Sequence, residues 1–577
     1  MSPSPRLLRA RWLGGRVAYR DAHALQRGLW EHGDGDWLLL LEHPHTYTMG
    51  VRAKAEHVLV DPASVGAELV RADRGGDVTY HGPGQLVGYP ILDVAPGPNS
   101  TPCYVHGIEQ LVIDALADLG LPGAARLDGY PGVWVGVDGP TPRKIAAIGV
   151  RVSKGRSMHG FALNVDPDMS YFGHIVPCGI ADKPVTSMAA EGVAVSTREV
   201  VDAVVARAVS GWGYAGLDRQ DTAWRVADSD LAAFTRGEGP GAPVPASAGG
   251  RQDRGEPVRL LGRLAQAGVD PSSGLAIEER KPEWLRVKAK MGAEYRALKR
   301  TVKELNLVTV CEEAGCPNIY ECWADGTGTF MINGDRCTRA CGFCLVDTRK
   351  PQAVDPDEPA RVAEAVARMG LAHAVVTTVA RDDLADDGAS GFAATIEAIH
   401  ATSPGTAVEV LISDCRGHEA SLQTIFAARP EVLNHNLETV ARLQRAVRPS
   451  ASYTRSLGVL ARAKAAGLTT KSGLIVGMGE TFDEVLSALA DLHGVGVDIV
   501  TVGQYLRPTS HHLPVARWWT PEEFDRLRVA GEAMGIPHVE ASPLTRSSYH
   551  ARQAADSARH AAGPVATDPG VASGSFR

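Results

Sequence analysis

No stretch of this chain approaches the ~18 consecutive apolar residues of a membrane-crossing helix. Its opening, Met1 to Gly15, has basic residues but no apolar core of leader-peptide length. A cytoplasmic protein without a membrane partner is the expectation. Neither sign of charge dominates: a net charge of −8 over 577 residues is mild and gives no reason to expect nucleic acid. No internal repeat and no phosphate-binding Gly-x4-Gly-Lys-Ser/Thr loop is present. Cysteine is scarce, nine in all and therefore odd in number, yet six of the nine lie between Cys311 and Cys344. In a reducing compartment such crowding reads as metal binding, not as disulfides. The length suggests about three or four domain-sized units, and 44% hydrophobic with 22% charged residues is ordinary for globular protein.

What is present is concentrated. Cys337, Cys341 and Cys344 stand in the spacing C-x3-C-x2-C, on a loop leaving the β-prone run Gly328–Asn333. Three thiolates hold three irons of a 4Fe–4S cluster and leave the fourth open. An open iron can chelate the amino and carboxylate groups of S-adenosylmethionine, and this loop resembles the signature of the radical S-adenosylmethionine enzymes. Structural zinc prefers four Cys or His ligands in closed spacing, and no histidine stands in this loop. Just upstream lies a second triplet, Cys311, Cys316 and Cys322, spaced C-x4-C-x5-C. Two triplets point to two clusters. Strand signals then recur at 371–378, 406–412, 431–435, 468–476 and 498–504, with helical patterns between them such as 357–369 and 481–493. With the run before Cys337 this predicts six strands of a parallel βα array. Active sites in such arrays sit at the C-terminal strand ends, where Arg381–Asp383, Asn434–Asn436 and Gly477–Glu480 fall.

Residues 1–225 read as a separate α/β unit. Trp37–Leu41 has buried-strand length, and the glycine-rich loop Asp73–Gln85 enters an apolar strand, Leu86–Leu92. Helical spacing marks 104–120. Hairpin signals follow at 132–137, 144–152 and 158–165, so the sheet is at least partly antiparallel. Cys178 stands alone in Ile175–Ile180; a lone cysteine is usually a small buried hydrophobe. Cys103 and Cys415 match neither triplet and read as structural. Residues 226–255 include a Gly-, Pro- and Ala-rich tether, Arg236–Gly250. A second catalytic unit spans 256–555, and 556–577 reads as a disordered tail.

The loop Asp73–Gln85, the strand Arg143–Gly149, the segment His159–Asn164 and the turn Pro177–Ile180, in this order, together resemble the lipoyl(octanoyl) transferase family. The resemblance covers nearly the whole first half. It implies a biotin/lipoate-protein-ligase-like α/β fold with a mixed sheet. It also implies transfer of octanoate from octanoyl-acyl carrier protein to a lysine of lipoyl domains of 2-oxoacid dehydrogenase complexes or of glycine cleavage H protein. Cys178 would be the acyl-thioester nucleophile and Lys144 the general base and acid. A thiolate attacks thioesters readily, and a lysine in a partly desolvated pocket can take up a proton. Thioester to amide is downhill, so ATP is not needed. The acyl site would be lined by Arg74, Gly75, Gly76, Asp77, Val78, Thr79, Tyr80 and His81, by Ala147, Ile148 and Gly149, and by Gly160, Phe161 and Ala162, with backbone N–H groups available to an oxyanion. Five basic residues, Arg143, Lys144, Arg151, Lys154 and Arg156, are either a docking patch for an acidic carrier or solvated hairpin tips.

The order C-x4-C-x5-C then C-x3-C-x2-C, with Arg546-Ser-Ser-Tyr549 near the end, resembles lipoyl synthase. That implies a partial (βα)6 TIM barrel of radical S-adenosylmethionine type with two 4Fe–4S clusters. Cys337, Cys341 and Cys344 would hold the one that binds S-adenosylmethionine. Cys311, Cys316, Cys322 and Ser548 would hold an auxiliary one that gives up sulfur. An electron donor such as ferredoxin or flavodoxin is implied. The whole reads as two α/β catalytic domains making protein-bound lipoate in sequence. Two alternatives stand beside it: an ATP-dependent lipoate ligase in the first half, and a non-catalytic Fe–S scaffold in the second.

Overall fold

The computed structural model describes residues 6–222 apart from 96, 98, 99 and 181, residues 256–286 apart from 278, scattered positions from 300 to 322, and residues 325–561. The expected tether at 226–255 lies outside the described residues. So do Cys311 and Cys316, most of positions 287–303, and positions 562–577 of the expected tail. Among the described residues no helix is long and apolar enough to cross a membrane.

The first half runs β1 (Leu7–Trp12), α1 (Tyr19–His32), β2 (Asp36–Leu41), β3 (Thr46–Met49), β4 (Glu68–Arg71), β5 (Val78–His81), β6 (Gln85–Ile91), α2 (Ser100–Asp118), β7 (Ala124–Leu127), β8 (Tyr130–Val135), β9 (Arg143–Ser153), β10 (Arg156–Asn164), α3 (Thr197–Gly211) and β11 (Gly216–Asp221). Eight strands form one sheet in the order β11-β1-β2-β6-β10-β9-β8-β7, and β4-β3-β5 form a small second sheet. β1 is parallel to β11 and β2, while every pairing from β2 to β7 is antiparallel, so the sheet is mixed. The apolar run of β2 is buried along its whole length because it sits inside the sheet with helices to cover it. The β9–β10 hairpin closes through Lys154 (φ 52°) and Gly155 (φ 74°); two left-handed residues match the twist of the flanking strands.

The second half runs α4 (Glu256–Gln266), β12 (Val308–Thr309), β13 (Thr327–Ile332), α5 (Glu358–Met369), β14 (His373–Thr378), α6 (Ala389–Thr402), β15 (Ala407–Leu411), α7 (Glu419–Ala427), β16 (Val432–Asn434), α8 (Gln444–Val447), α9 (Tyr453–Ala465), β17 (Thr469–Val476), α10 (Phe482–Gly494), β18 (Ile499–Gln504), α11 (Pro521–Ala533), β19 (His538–Ala541) and α12 (Ala551–Ala561). β13 to β18 are the six expected strands, all parallel. The structure adds a seventh parallel strand, β19, and an antiparallel two-residue edge, β12. Both are too short to show a hydrophobic period. Residues 556–561 of the expected tail belong to α12. Ala551, Ala554, Ala555 and Ala558 are buried, the last three in one cluster with Val432 and Ile499; they make a helical i, i+3, i+4, i+7 stripe of residues small enough to pass for unstructured sequence.

The halves are packed together. Leu25, Leu29 and Trp37 share one apolar cluster with Leu457, Leu460 and Leu492. A Cβ on Gly28 would stand 2.9 Å from Ala461 Cβ, so α1 and α9 approach closely. Buried charges cross the seam. Arg11 Nε donates to Asp491 Oδ1 at 3.0 Å, and Tyr453 O–H donates to Asp491 Oδ2 at 2.7 Å. Asp21, on α1, accepts from Arg455 Nε at 3.3 Å and from Arg462 Nη2 at 3.1 Å.

Candidate active sites

In the first half β5, β9, β10 and the turn after β10 enclose a cavity of about 560 Å³. Cys178 and Lys144 both line it, with Arg74, Gly75, Gly76, Asp77, Thr79 and His81, and with Ala147–Gly149 and Gly160–Ala162. Val78 and Tyr80 do not. Strand β5 alternates, so Thr79 and His81 face the cavity while Val78 and Tyr80 join a buried cluster with Tyr47 and Ile175.

Cys178 sits in the short turn Pro177–Gly179 with φ 57° and ψ 18°. A non-glycine residue there is strained, and such strain persists where the surroundings impose it. They do: Val176 N–H donates to His57 O at 2.8 Å, and Gly179 N–H to Val176 O at 3.1 Å. Lys144, on β9, is 6% exposed, with its ammonium 4.8 Å from the centre of the Trp134 ring. Arg74 is 7% exposed. Its partners among the described residues are neutral oxygens: Thr48 O at 2.6 Å, Thr48 Oγ1 at 2.8 Å and Gly75 O at 3.0 Å. Burial pulls its pKa down, while Tyr19, Cys178 and Asp77 act to hold it charged. A buried cation without a carboxylate partner is suited to an anion entering the cavity. Gly149 and Gly160 face each other across β9 and β10. A Cβ on Gly160 would stand 2.2 Å from Gly88 O, so only glycine fits. His81 is buried, with its Nδ1 2.8 Å from Gln85 Oε1, and desolvation holds it well below its ordinary pKa.

Several wall residues carry no signal of their own in the sequence. His57, Tyr19 and Tyr89 line the cavity from separate elements. His159 lies in a segment that carries the family resemblance, but no local pattern gives its imidazole a role. Its Nε2 is 2.7 Å from Asp73 Oδ1, which also meets His23 Nε2 at 3.2 Å, while Arg151 pairs with the other oxygen. The basic cluster is spent internally. Arg143 pairs with Glu191 at 2.7 Å, Arg156 with Asp93 at 3.0 Å and Arg151 with Asp73; Lys144 is buried, and Lys154 lies over Trp30. This favours the hairpin-tip reading over a preformed docking patch.

The second candidate site lies at the C-terminal ends of the parallel strands. The loop from Cys337 to Cys344 is tied down at four points. Cys337 N–H donates to Asp347 O at 2.8 Å, Thr338 N–H to Ala380 O at 3.0 Å, Gly342 N–H to Val447 O at 2.8 Å, and Leu513 N–H to Gly342 O at 2.9 Å. Cys337 Sγ accepts from two backbone N–H groups, those of Arg339 at 3.4 Å and Ala380 at 3.3 Å. Besides burial, the charge of Cys337 disfavours ionisation of Cys341 and Cys344. Burial is the larger effect, raising Cys341 and pushing Cys344 up to about 12. Three converging thiols with N–H groups aimed at sulfur fit an iron–sulfur cluster, and metal binding would drive their deprotonation.

Arg339, inside this loop, donates to Asp382 Oδ2 at 2.8 Å and meets Asp414 Oδ1 at 2.7 Å. Asp414 in turn meets Arg455, which holds Asp21 of the first half. Arg381 is buried and clamped bidentate by Asp383, at 2.9 Å each. Asp386 accepts from the Gly388 and Ser390 N–H groups at the start of α6. Glu480 folds back onto the Gly477 and Met478 N–H groups and holds that glycine loop. Asn434 and Asn436 each leave a buried Oδ1 without a partner among the described residues, which fits a polar ligand over the barrel mouth. Cys322 and Ser548 are brought to the same region. Asn318 Nδ2 donates to Leu544 O at 2.7 Å, Tyr549 O–H donates to Glu321 Oε2 at 3.2 Å, and the charge of Cys322 is felt at Tyr549.

The chain matches three family models. Residues 18–208 match the lipoyl protein ligase A/B catalytic domain, residues 272–316 the N-terminal domain of lipoyl synthase of the radical SAM family, and residues 331–492 the radical SAM superfamily. Lipoyl synthase of Leifsonia xyli is 58% identical over 273 residues, 47% of this chain and 83% of the relative. Lipoyl synthase of Mycobacterium avium is 56% identical over 281 residues, 48% of this chain and 92% of the relative. A bi-partite lipoate protein ligase structure from Thermoplasma acidophilum aligns with 38% of this chain and 86% of its own, at 21% identity and a TM-score of 0.31.

Proposed function

Because the chain belongs, through its second half, to the lipoyl synthase family, and carries a lipoyl protein ligase A/B catalytic domain in its first, we propose that it makes protein-bound lipoate in two consecutive steps. The first half moves octanoate from octanoyl-acyl carrier protein to the lysine of a lipoyl domain or glycine cleavage H protein. The second half inserts two sulfur atoms into that bound chain. The observation that carries the first step is one cavity walled by Cys178, Lys144 and the unpaired cation of Arg74.

Lys144 takes the Cys178 thiol proton, and the thiolate attacks the thioester carbonyl. Arg74 stabilises the oxyanion. The pantetheine thiolate departs; the carrier lysine ammonium then loses two protons, one in net to that thiolate and one to water, as its nitrogen displaces Cys178, which recovers its proton from Lys144. In the second half, Cys337, Cys341 and Cys344 would hold the cluster that binds S-adenosylmethionine, and Cys311, Cys316, Cys322 and Ser548 the auxiliary cluster. These groups, when bound, supply one-electron cleavage of S-adenosylmethionine and the sulfur; ferredoxin or flavodoxin is the class of donor they require. The protein's part is positioning and exclusion of water: Arg339 and its carboxylates fix the cysteine loop, and the buried asparagines face the barrel mouth.

The test is the intact mass of apo H protein after anaerobic incubation with reconstituted enzyme, octanoyl-acyl carrier protein, S-adenosylmethionine and reductant. A lipoyl increment establishes both steps. An octanoyl increment alone supports the transfer and refutes sulfur insertion. An increment only when free octanoate and ATP replace the acyl carrier protein makes the first half a ligase, the other activity its family model covers.

A further inference from the structure

The transfer reading uses one proton-carrying side chain, Lys144, yet the reaction exchanges two different partners at Cys178. A second titratable pair stands beside the nucleophile. His57 Nδ1 is 2.8 Å from Asp77 Oδ2, and Asp77 Oδ1 accepts from Val78 N–H at 2.7 Å. The carboxylate is therefore fixed from one side and grips the imidazole with the other. The backbone around His57 is stitched to the segment that carries the nucleophile: Val58 pairs antiparallel with Ile175, Val176 N–H donates to His57 O, and Leu59 N–H donates to His174 O at 2.9 Å. A Cβ on Gly179, the residue after Cys178, would stand 2.9 Å from Asp77 Oδ2 and 3.5 Å from His57 Cε1. Both side chains line the cavity. They are more exposed than Lys144, at 18% and 14%. His57 Nε2 has no hydrogen-bond partner among the described residues.

A histidine oriented through Nδ1 by a carboxylate, with Nε2 free in the cavity that holds the nucleophile, is the arrangement of acid–base histidines in acyl transfer. We propose that His57, oriented by Asp77, is a second catalytic acid–base residue, serving the exchanging partners while Lys144 serves Cys178. This rests on the transfer reading above. In the first half-reaction the Cys178 thiol proton passes to Lys144, the new S–C bond forms, and the bond to the pantetheine sulfur breaks. Imidazolium His57 gives its Nε2 proton to that departing thiolate. In the second, neutral His57 takes one proton from the arriving lysine ammonium. The N–C bond forms, the Cys178 S–C bond breaks, and a second amine proton goes to water. Cys178 thiolate recovers its proton from Lys144. Both side chains end as they began, and one proton is released per turnover. The outer position of His57 suits groups that arrive from solvent, and the inner position of Lys144 suits one that never leaves.

The experiment uses the full chain, with octanoyl transfer from octanoyl-acyl carrier protein to apo H protein followed by mass. His57→Asn keeps a donor for Asp77 and removes the base. It is expected to lower kcat by about 10²- to 10³-fold and to flatten one limb of the kcat/KM profile against pH. Asp77→Asn is expected to lose about tenfold, because the imidazole remains but its tautomer and orientation do not; it also serves if His57→Asn fails to fold. Wild-type rates and an unchanged pH profile in either folded variant overturn the proposal. So does a slow His57→Asn enzyme whose pH profile matches wild type, since that is a structural defect. A wild-type chain that transfers nothing, from either octanoyl-acyl carrier protein or octanoate with ATP, overturns the transfer reading itself.

Discussion

The two candidate sites are built on opposite plans. In the first half every wall of the cavity comes from residues between Tyr19 and Ile180, and its polar side chains are already held by one another, as His57 is by Asp77 and Arg74 by Thr48. In the second half the proposed cluster ligands sit on a loop braced by buried ion pairs. Arg339 is held by Asp382 and Asp414, Asp414 by Arg455, and Arg455 by Asp21 of the other half. Acid–base transfer needs side chains poised at fixed distances. A cluster site needs a loop pinned in place until metal arrives. The first half therefore supplies its own site, whereas the second is buttressed from outside its own sheet.

The largest expected effects separate the sites outright. Cys178→Ala should cost octanoyl transfer on the order of 10³-fold or more. Cys344→Ala should abolish the electron paramagnetic signal of the S-adenosylmethionine-binding cluster while leaving octanoyl transfer within about twofold, because remote sites act independently. Equal loss of transfer in Cys344→Ala would break the comparison.

Next comes the seam. Asp21→Ala takes a carboxylate from Arg455 and Arg462 but leaves each a second one, Asp414 and Glu419, so the loss should stay below the cost of an uncompensated buried charge, about 3–5 kcal/mol. Urea unfolding should show the loss, and the second half should lose iron faster than wild type during chelation. Unchanged stability and iron retention would mean that the buttress is idle.

A pH effect follows from the same chain of charges. Burial pushes the Asp414 carboxyl up, but Arg339 and Arg455 outweigh it and hold it at about 2. A carboxylate depressed in the folded state adds stability above its ordinary pKa, near ~4. That stability is lost as pH falls toward the folded value. Thermal melts should therefore decline between about pH 4 and about pH 2, and Asp414→Asn should remove that part of the slope. A wild-type slope in the variant would place the effect elsewhere.

The smallest expected effect tests the basic hairpin. Because Arg143, Arg151 and Arg156 are already paired, Lys154→Ala should change KM for the acyl carrier protein by less than about twofold. A tenfold rise would restore the docking patch.

Much of this architecture is legible along the chain itself. Periodicity places β2, α2 and β13 to β18, since a buried strand must be apolar throughout and a surface helix apolar on one stripe. Spacing marks the cysteine triplet, because ligands to one cluster must be near in the chain or brought near by it. β12, β19 and α12 escape such reading because short edges and alanine stripes carry little hydrophobic signal. His57 escapes it for a different reason: its proposed role depends on Asp77 and on Cys178, far apart in sequence, and no local pattern marks such a meeting.

Residue chemistry and spacing are enough to divide this chain into two α/β halves and to group Cys337, Cys341 and Cys344, while Cys178 stands out as a candidate nucleophile only through the family resemblance of its surroundings. They are not enough to say that Thr79 and His81 face the cavity while Val78 and Tyr80 do not, that the basic hairpin is neutralised, or that Asp21 braces the other half's cysteine loop. The first set rests on local periods and ligand distances, which are written along the chain. The second rests on long-range contacts, which exist only once folding has brought separate segments within a few ångströms.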